Sequence, residues 1–64
     1  MKPNKYEALE FCRRAIKSCT ELQQLRGANM LNRNFFVMFG DVASYHLLDN
    51  EWMLKFESLK AMEE

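Results

Sequence analysis

Apolar residues recur at every third or fourth position over the first part of the chain, which is the period of one face of an α-helix. Asn4 comes just before this pattern, where its side chain can cap the first turn, and Glu7 follows three residues later, as in a capping box. Gly27 lies just after the pattern, and glycine often ends a helix. The sequence therefore predicts a first helix over about residues 4–26.

The middle of the chain carries five consecutive apolar residues at positions 35–39. A strand over these residues, followed by a turn at Gly40 and Asp41, is one interpretation, because Phe and Val favour strands. No second alternating segment follows to accept the backbone hydrogen bonds of that strand, so a helix is favoured. The prediction is a helix over about residues 29–47, bent near Gly40.

The last part of the chain returns to helical spacing with Trp52, Phe56 and Leu59. Asp49 precedes this row and is a good N-cap, and a carboxylate there also suits the positive end of the helix dipole. These features predict a third helix over about residues 50–62.

Together these elements predict an all-α fold, either a helical hairpin or a three-helix chain, in a single domain over residues 1–64. A chain of this length buries only about 60% of the surface that its unfolded form exposes, so an isolated copy would be marginally stable. The middle helix is apolar on more of its circumference than the rest of the chain can cover. We therefore expect an intertwined homodimeric helical bundle with a two-fold interface. The residues predicted to form its shared core and dimer interface are Phe11, Ile16, Leu22, Leu31, Phe35, Phe36, Met38, Phe39, Val42, Trp52, Phe56 and Leu59.

Positive and negative charges balance over the whole chain, with nine of each. They are unevenly distributed: residues 1–33 carry seven basic and three acidic side chains, whereas residues 34–64 carry two basic and six acidic ones. This split favours antiparallel pairing of the two halves, within or between chains, or a basic face for a partner. The residues of that predicted basic face are Arg13, Arg14, Lys17, Arg26 and Arg33.

Cysteine and histidine are the candidates for a metal or catalytic site. Cys12 and Cys19 lie seven residues apart, about 10.5 Å along a helix, which exceeds the roughly 7 Å that a disulfide allows. With His46, the single histidine, they give three metal ligands at most and lack the CxxC spacing of zinc sites. A nucleophile would need His46 as its base, and no carboxylate is immediately beside it to orient the ring. Gly27 and Gly40 are isolated, so no phosphate-binding loop is predicted. The expectation is a protein without enzyme activity, metal or cofactor.

No apolar leader is visible at the start of the sequence, and no run of about 20 apolar residues could span a membrane. The chain is therefore expected in the cytoplasm, without membrane contact. The leading hypothesis is a small non-catalytic interaction or regulatory protein that binds another protein, a role common among accessory factors of phages and mobile elements. The alternative is a dimeric nucleic-acid-binding regulator that uses the basic face. A net charge of zero and an acidic third helix weigh against that alternative.

Overall fold

The computed structural model describes residues 4–63 and contains three helices. Residues 1–3 and 64 of the predicted domain lie outside the described residues, and so does the start of the sequence, where no apolar leader is predicted. The helices are α1 (Lys5–Lys17), α2 (Leu22–Phe39) and α3 (Val42–Glu63). Residues 4–63 contain no strand, which confirms the all-α prediction and excludes the strand interpretation of residues 35–39.

The three helices run up, down and up in one bundle. Lys5 at the start of α1 forms an ion pair with Asp41, just before α3, with 2.9 Å between Nζ and Oδ2. Further along both helices, in the same direction, Arg13 pairs with Glu51 at 3.0 Å. Helices α1 and α3 are therefore parallel, and α2 returns between them. Both ion pairs join the basic first half to the acidic second half, but they join parallel helices. The antiparallel pairing predicted from the charge split is therefore not the arrangement that these ion pairs make within the chain.

Helix α1 begins as predicted but ends nine residues earlier than residue 26. The Asn4 side chain accepts a hydrogen bond from the Glu7 backbone N–H at 2.8 Å, so Asn4 is the N-cap. At the other end, the Ser18 hydroxyl donates to the Ala15 carbonyl at 3.0 Å. Side chains of this kind compete with the helical hydrogen bonds of the backbone and favour helix ends. The predicted first helix over 4–26 is therefore wrong beyond Lys17.

A new helix begins inside that predicted segment. The Gln24 side-chain oxygen accepts hydrogen bonds from the backbone N–H groups of Thr20 (2.7 Å) and Glu21 (3.3 Å), which supplies partners to the start of α2. Gly27, predicted to end a helix, lies in the interior of α2 and is exposed. The helix ends instead at Gly40, which has φ 63° and ψ 18° and donates its N–H to the Phe36 carbonyl at 2.7 Å.

The predicted helix over 29–47 is thus two helices, because Gly40 adopts the left-handed conformation that ends a helix and does not merely bend it. Helix α3 then starts at Val42, well before the predicted residue 50. Asp41 caps it by accepting hydrogen bonds from the Ser44 N–H (3.2 Å) and the Ser44 hydroxyl (2.9 Å). Asp49, predicted as the N-cap, lies inside α3 and is exposed.

The core lies along the line where the three helices meet. Leu25 and Leu48 are fully buried, and Trp52 packs beside them and donates its indole N–H to the Leu25 carbonyl at 2.7 Å. One polar side chain, Asn32, is 1% exposed within the same core. The buried apolar residues of the core are Cys12, Ile16, Cys19, Leu25, Ala28, Phe35, Leu48 and Leu59.

Candidate interaction surface

Most residues predicted for a shared dimer core lie in the core of the single chain. Ile16, Phe35 and Leu59 are buried there. Five further side chains are partly buried and pack against this core; they are Leu22, Leu31, Phe39, Trp52 and Phe56. The chain therefore covers much of its own apolar surface with α3, which the sequence assigned to a shorter helix.

The remaining four predicted residues are exposed. Phe11 is 61% exposed, Met38 57% and Val42 54%. Phe36 is 37% exposed and its ring lies 4.9 Å from the ring of Tyr45, which covers one side of it. Phe11 and Met38 are the two of this set that flank a common depression.

That depression is a cleft of about 460 Å³ between α1 and α2. Helix α1 contributes Phe11 to one rim and helix α2 contributes Met38 to the other. The Cys12 thiol lies 3.7 Å from the Leu31 carbonyl, which shows how closely the two helices approach at the floor. The residues that line the cleft are Glu7, Ala8, Phe11, Cys12, Leu31, Asn34, Phe35, Met38 and Phe39.

The apolar surface continues across α2 beyond the cleft. Asn34 also lines a second, smaller depression of about 220 Å³, together with Met30, Arg33 and Val37. Met30 is 66% exposed and Val37 is 82% exposed. The two depressions therefore form one surface, which we call the α1–α2 face and define by the five residues Phe11, Met30, Asn34, Val37 and Met38.

Met30 and Val37 are absent from the set predicted from the sequence. Their exposure can be predicted once the start of α2 is known. The buried positions 25, 28, 32 and 35 then follow one another at helical steps. Positions 30 and 37 are seven residues apart and point away from that row. The sequence prediction placed the helix start at residue 29 and so lacked the first two buried positions.

Charged residues lie on the rim of the α1–α2 face. Glu7 lines the cleft, and Arg14 is exposed one turn beyond Phe11 on α1. Beyond the Phe39 end of the cleft, Lys5 and Asp41 hold the start of α1 against the turn between α2 and α3. The Lys5 ammonium, helped by hydrogen bonds from Ser44, lowers the pKa of Asp41 from its ordinary 3.8 to about 2. The same hydrogen bond raises the pKa of Lys5.

The five residues of the predicted basic face lie in different surroundings. Arg13 points toward α3, where its Nε lies 3.0 Å and 3.3 Å from the two carboxylate oxygens of Glu51. Arg14, Lys17, Arg26 and Arg33 are exposed. Arg26 borders a depression lined by aromatic side chains of α3, whereas Arg33 borders the α1–α2 face.

The residues considered for metal binding or catalysis also differ in exposure. Cys12 and Cys19 are free thiols and both are buried, whereas His46 is exposed on α3. Burial raises the pKa of the Cys12 thiol, which is opposite to the shift that activates a nucleophilic cysteine. Within the described part of the chain, no three His, Cys, Asp or Glu side chains are grouped as metal ligands.

Among the helices of residues 4–63, none is long and apolar enough to cross a membrane. No protein-family model matches the chain, and neither a curated protein nor a solved structure matches it. The α1–α2 face is therefore the feature of the described residues from which a function can be inferred.

Proposed function

We propose that this chain is a non-catalytic interaction protein that binds another protein chain through the α1–α2 face. The observation that supports the proposal is the exposure of Phe11 and Met38 at a cleft of about 460 Å³, with Met30 and Val37 exposed at the adjoining depression that shares Asn34. Single exposed apolar residues are ordinary on protein surfaces, but contiguous apolar patches with a polar rim are typical of interaction sites. The occupant that fits a cleft between two helices is a third helix with apolar residues on one side.

The composition of the face suits a protein partner. Phe11 supplies a large aromatic anchor, and aromatic residues and methionines are enriched at the centres of interfaces. Met30 and Met38 have flexible side chains that adapt to the shape of a partner. Glu7 and Arg14 supply charges at the rim, where such groups set orientation more than affinity.

A photo-crosslinking experiment in the cells that produce the protein tests this proposal. Phe11 or Met38 is replaced by p-benzoylphenylalanine, and the matched control places the same group at Lys60, an exposed position on α3. We expect a discrete protein adduct after irradiation at both face positions and none at Lys60. Adducts at all three positions alike, or at none of them, would contradict the proposal.

A nucleic-acid-binding regulator is the second candidate. It is supported by the exposure of Arg14, Lys17, Arg26 and Arg33. It is weakened by Arg13, whose guanidinium is paired with Glu51 and so is less available to a phosphate. Binding to phosphates should weaken steeply as salt concentration rises. Titration of a labelled DNA duplex and a labelled RNA hairpin at two salt concentrations, with Arg14→Glu as the variant, separates this candidate from the first.

A further inference from the structure

We infer that the partner of the α1–α2 face is a second copy of this chain, bound across a two-fold axis that lies in the interface, perpendicular to the helices, and passes over Phe11 and Asn34. This inference rests on the proposed function and names its partner. It follows from three observations: the order of residues along α1, the order of residues along α2, and the amount of surface that the single chain leaves exposed.

Helix α1 is complementary to itself when two copies pair in opposite directions. Glu7, Phe11 and Arg14 follow one another at steps of four and three, so they share one outward side of the helix. An antiparallel pairing centred on Phe11 therefore brings Glu7 of one copy opposite Arg14 of the partner subunit. The symmetry repeats the pair on the other side of Phe11, so one geometry matches both charges twice.

Helix α2 has the same property about Asn34. Met30 and Met38 lie four residues before and four residues after Asn34, on the same side of the helix. Antiparallel pairing centred on Asn34 places Met30 against Met38 of the partner subunit. The two Asn34 side chains meet on the axis, where each amide group can donate a hydrogen bond to the other.

The two centres lie close together along the bundle, as a two-fold axis requires. Phe11 and Asn34 line the same cleft from opposite helices, and the contact between the Cys12 thiol and the Leu31 carbonyl places them within about one helical turn of each other. One axis perpendicular to the helices can therefore relate both α1 and α2 to their copies at once. A face evolved for an unrelated partner has no reason to be symmetric in both helices about one height.

The single chain leaves more surface exposed than a compact monomer of its size. The chain exposes 4973 Å², whereas a folded monomer of 7.6 kDa is expected to expose about 4,300 Å². A second copy on the α1–α2 face would cover part of this excess, and a standard interface takes approximately 800 Å² from each partner. The helices form an elongated body of 42 × 21 × 14 Å, and a second copy stacked on the α1–α2 face would thicken it along its shortest dimension.

A cycle of charge reversals tests the pairing. Sedimentation equilibrium of the full chain should give a mass near twice 7.6 kDa for the wild type. Glu7→Arg and Arg14→Glu should each raise the dimer dissociation constant about tenfold, because each puts like charges opposite each other at two symmetric places. The double variant should return to near the wild-type constant. Glu57→Arg, an equal charge change on exposed α3, should leave the constant unchanged.

Restoration in the double variant has one source. Glu7 and Arg14 lie two helical turns apart within a chain, too far to contact each other, so only a partner can couple them. Circular dichroism should show that each variant remains helical. A chain that stays monomeric up to millimolar concentration, or a double variant that dimerises as poorly as the two single changes combined, would overturn the inference.

A cysteine on the axis provides a second, independent measurement. Asn34→Cys should oxidise to an interchain disulfide, because the two-fold axis brings the two thiols together. Asn50→Cys on exposed α3 is the matched control and should remain largely uncrosslinked. Equal crosslinking of both variants would contradict the axis.

These results also separate the inference from the proposed function. Face-specific photo-adducts of twice the chain mass support both. If the purified chain is monomeric while photo-adducts at Phe11 and Met38 contain a different protein, the inference fails and the proposed function stands. If no face-specific adduct forms and the chain is monomeric, both fail.

Discussion

The core and the α1–α2 face are built from the same kinds of apolar residue, but only the core has neighbours on every side. The run at positions 35–39 contributes to both regions: Phe35 is 2% exposed, whereas Val37, two residues later, is 82% exposed. In a bundle of three helices, each helix has two neighbours and keeps one side outward. On α2 that outward side carries Met30 and Val37 beside the exposed Arg26 and Arg33, whereas the outward side of an isolated bundle is typically polar or charged throughout.

The difference shows that burial in this protein depends on the number of packing partners and not on hydrophobicity alone. Leu48 is fully buried because α1, α2 and α3 meet around it. Met38 is equally apolar in kind but has a helix on one side only and is 57% exposed. The face is therefore one part of the apolar surface for which this chain supplies no cover; Met53 and Leu54 on α3 are exposed as well.

The largest contrast is expected between truncations of one residue from each region. Leu48→Ala should lower the free energy of unfolding by about 2–5 kcal/mol, because it leaves a cavity in the core. Met38→Ala should change it by less than about 0.5 kcal/mol in dilute protein, where a surface substitution removes few contacts. Urea denaturation followed by circular dichroism measures both.

Repeating these titrations at high protein concentration sharpens the comparison. If the face is an interface between copies, the cost of Met38→Ala should grow with concentration, because association stabilises the folded state by mass action. The difference in unfolding free energy between the wild type and Leu48→Ala should be the same at low and high protein concentration. Equal losses from the two truncations in dilute protein would mean that the face is not open.

The second largest effect on the free energy of unfolding is expected for Asn32, in the core. Its side-chain Oδ1 and Nδ2 atoms are buried and make no hydrogen bond with the described residues. A buried polar group without a partner costs about 1–3 kcal/mol. Asn32→Leu should therefore raise the free energy of unfolding by about that amount, as measured by urea denaturation. Asn34→Leu, two residues away on the exposed face, is the matched control and should give little gain in dilute protein. A loss of stability in Asn32→Leu would show that the amide is satisfied in solution.

The two glycines of the described chain should respond to the same substitution with opposite signs. Gly40→Ala should cost about 1 kcal/mol, because an alanine at φ 63° is strained. Gly27→Ala should gain about 0.5–1 kcal/mol, because alanine is a better helix former and, apart from the chain neighbours and the backbone of the same helix, no atom lies within 4 Å of the added carbon. Thermal denaturation of both variants measures the difference. A destabilising Gly27→Ala in dilute protein would indicate that the outward side of α2 is more tightly constrained than the open face suggests.

The sequence predicts the helical class and the ends that are marked by local chemistry. Asn4 caps α1 as expected, and Gly40 interrupts the middle segment as expected, although it ends the helix instead of bending it. The connection between α1 and α2 escaped prediction because Ile16, Cys19 and Leu22 keep a helical spacing across it. Cys19 is not in a helix, yet it is 5% exposed and packs in the core. Burial of a loop residue thus preserved the apolar period where the helix had stopped.

The candidate site was predictable only in part. The sequence indicated an excess of apolar residues and named Phe11 and Met38 among them, but it could not separate surface from core. That separation depends on how α2 is rotated between its two neighbours, which the contacts of Leu25, Phe35 and Leu48 with the other helices determine. Met30 and Val37 belong to the α1–α2 face because of that rotation and not because of their own chemistry.

The smallest expected effect concerns the ion pair at the Phe39 end of the cleft. Lys5 and the Ser44 groups lower the pKa of Asp41 to about 2 in the folded chain, below its ordinary value of 3.8. A carboxylate with a lowered pKa stabilises the fold above its ordinary pKa, and this contribution is lost as the pH falls from about 4 to about 2. Asp41→Asn should therefore lower the Tm at neutral pH and reduce the loss of Tm between pH 4 and pH 2. Asp49→Asn, on the exposed surface of α3, is the control and should keep the wild-type acid response. If Asp41→Asn loses as much Tm on acidification as the wild type, the Lys5–Asp41 pair does not hold α1 against the turn, and the cleft is open at that end as well as at its rim.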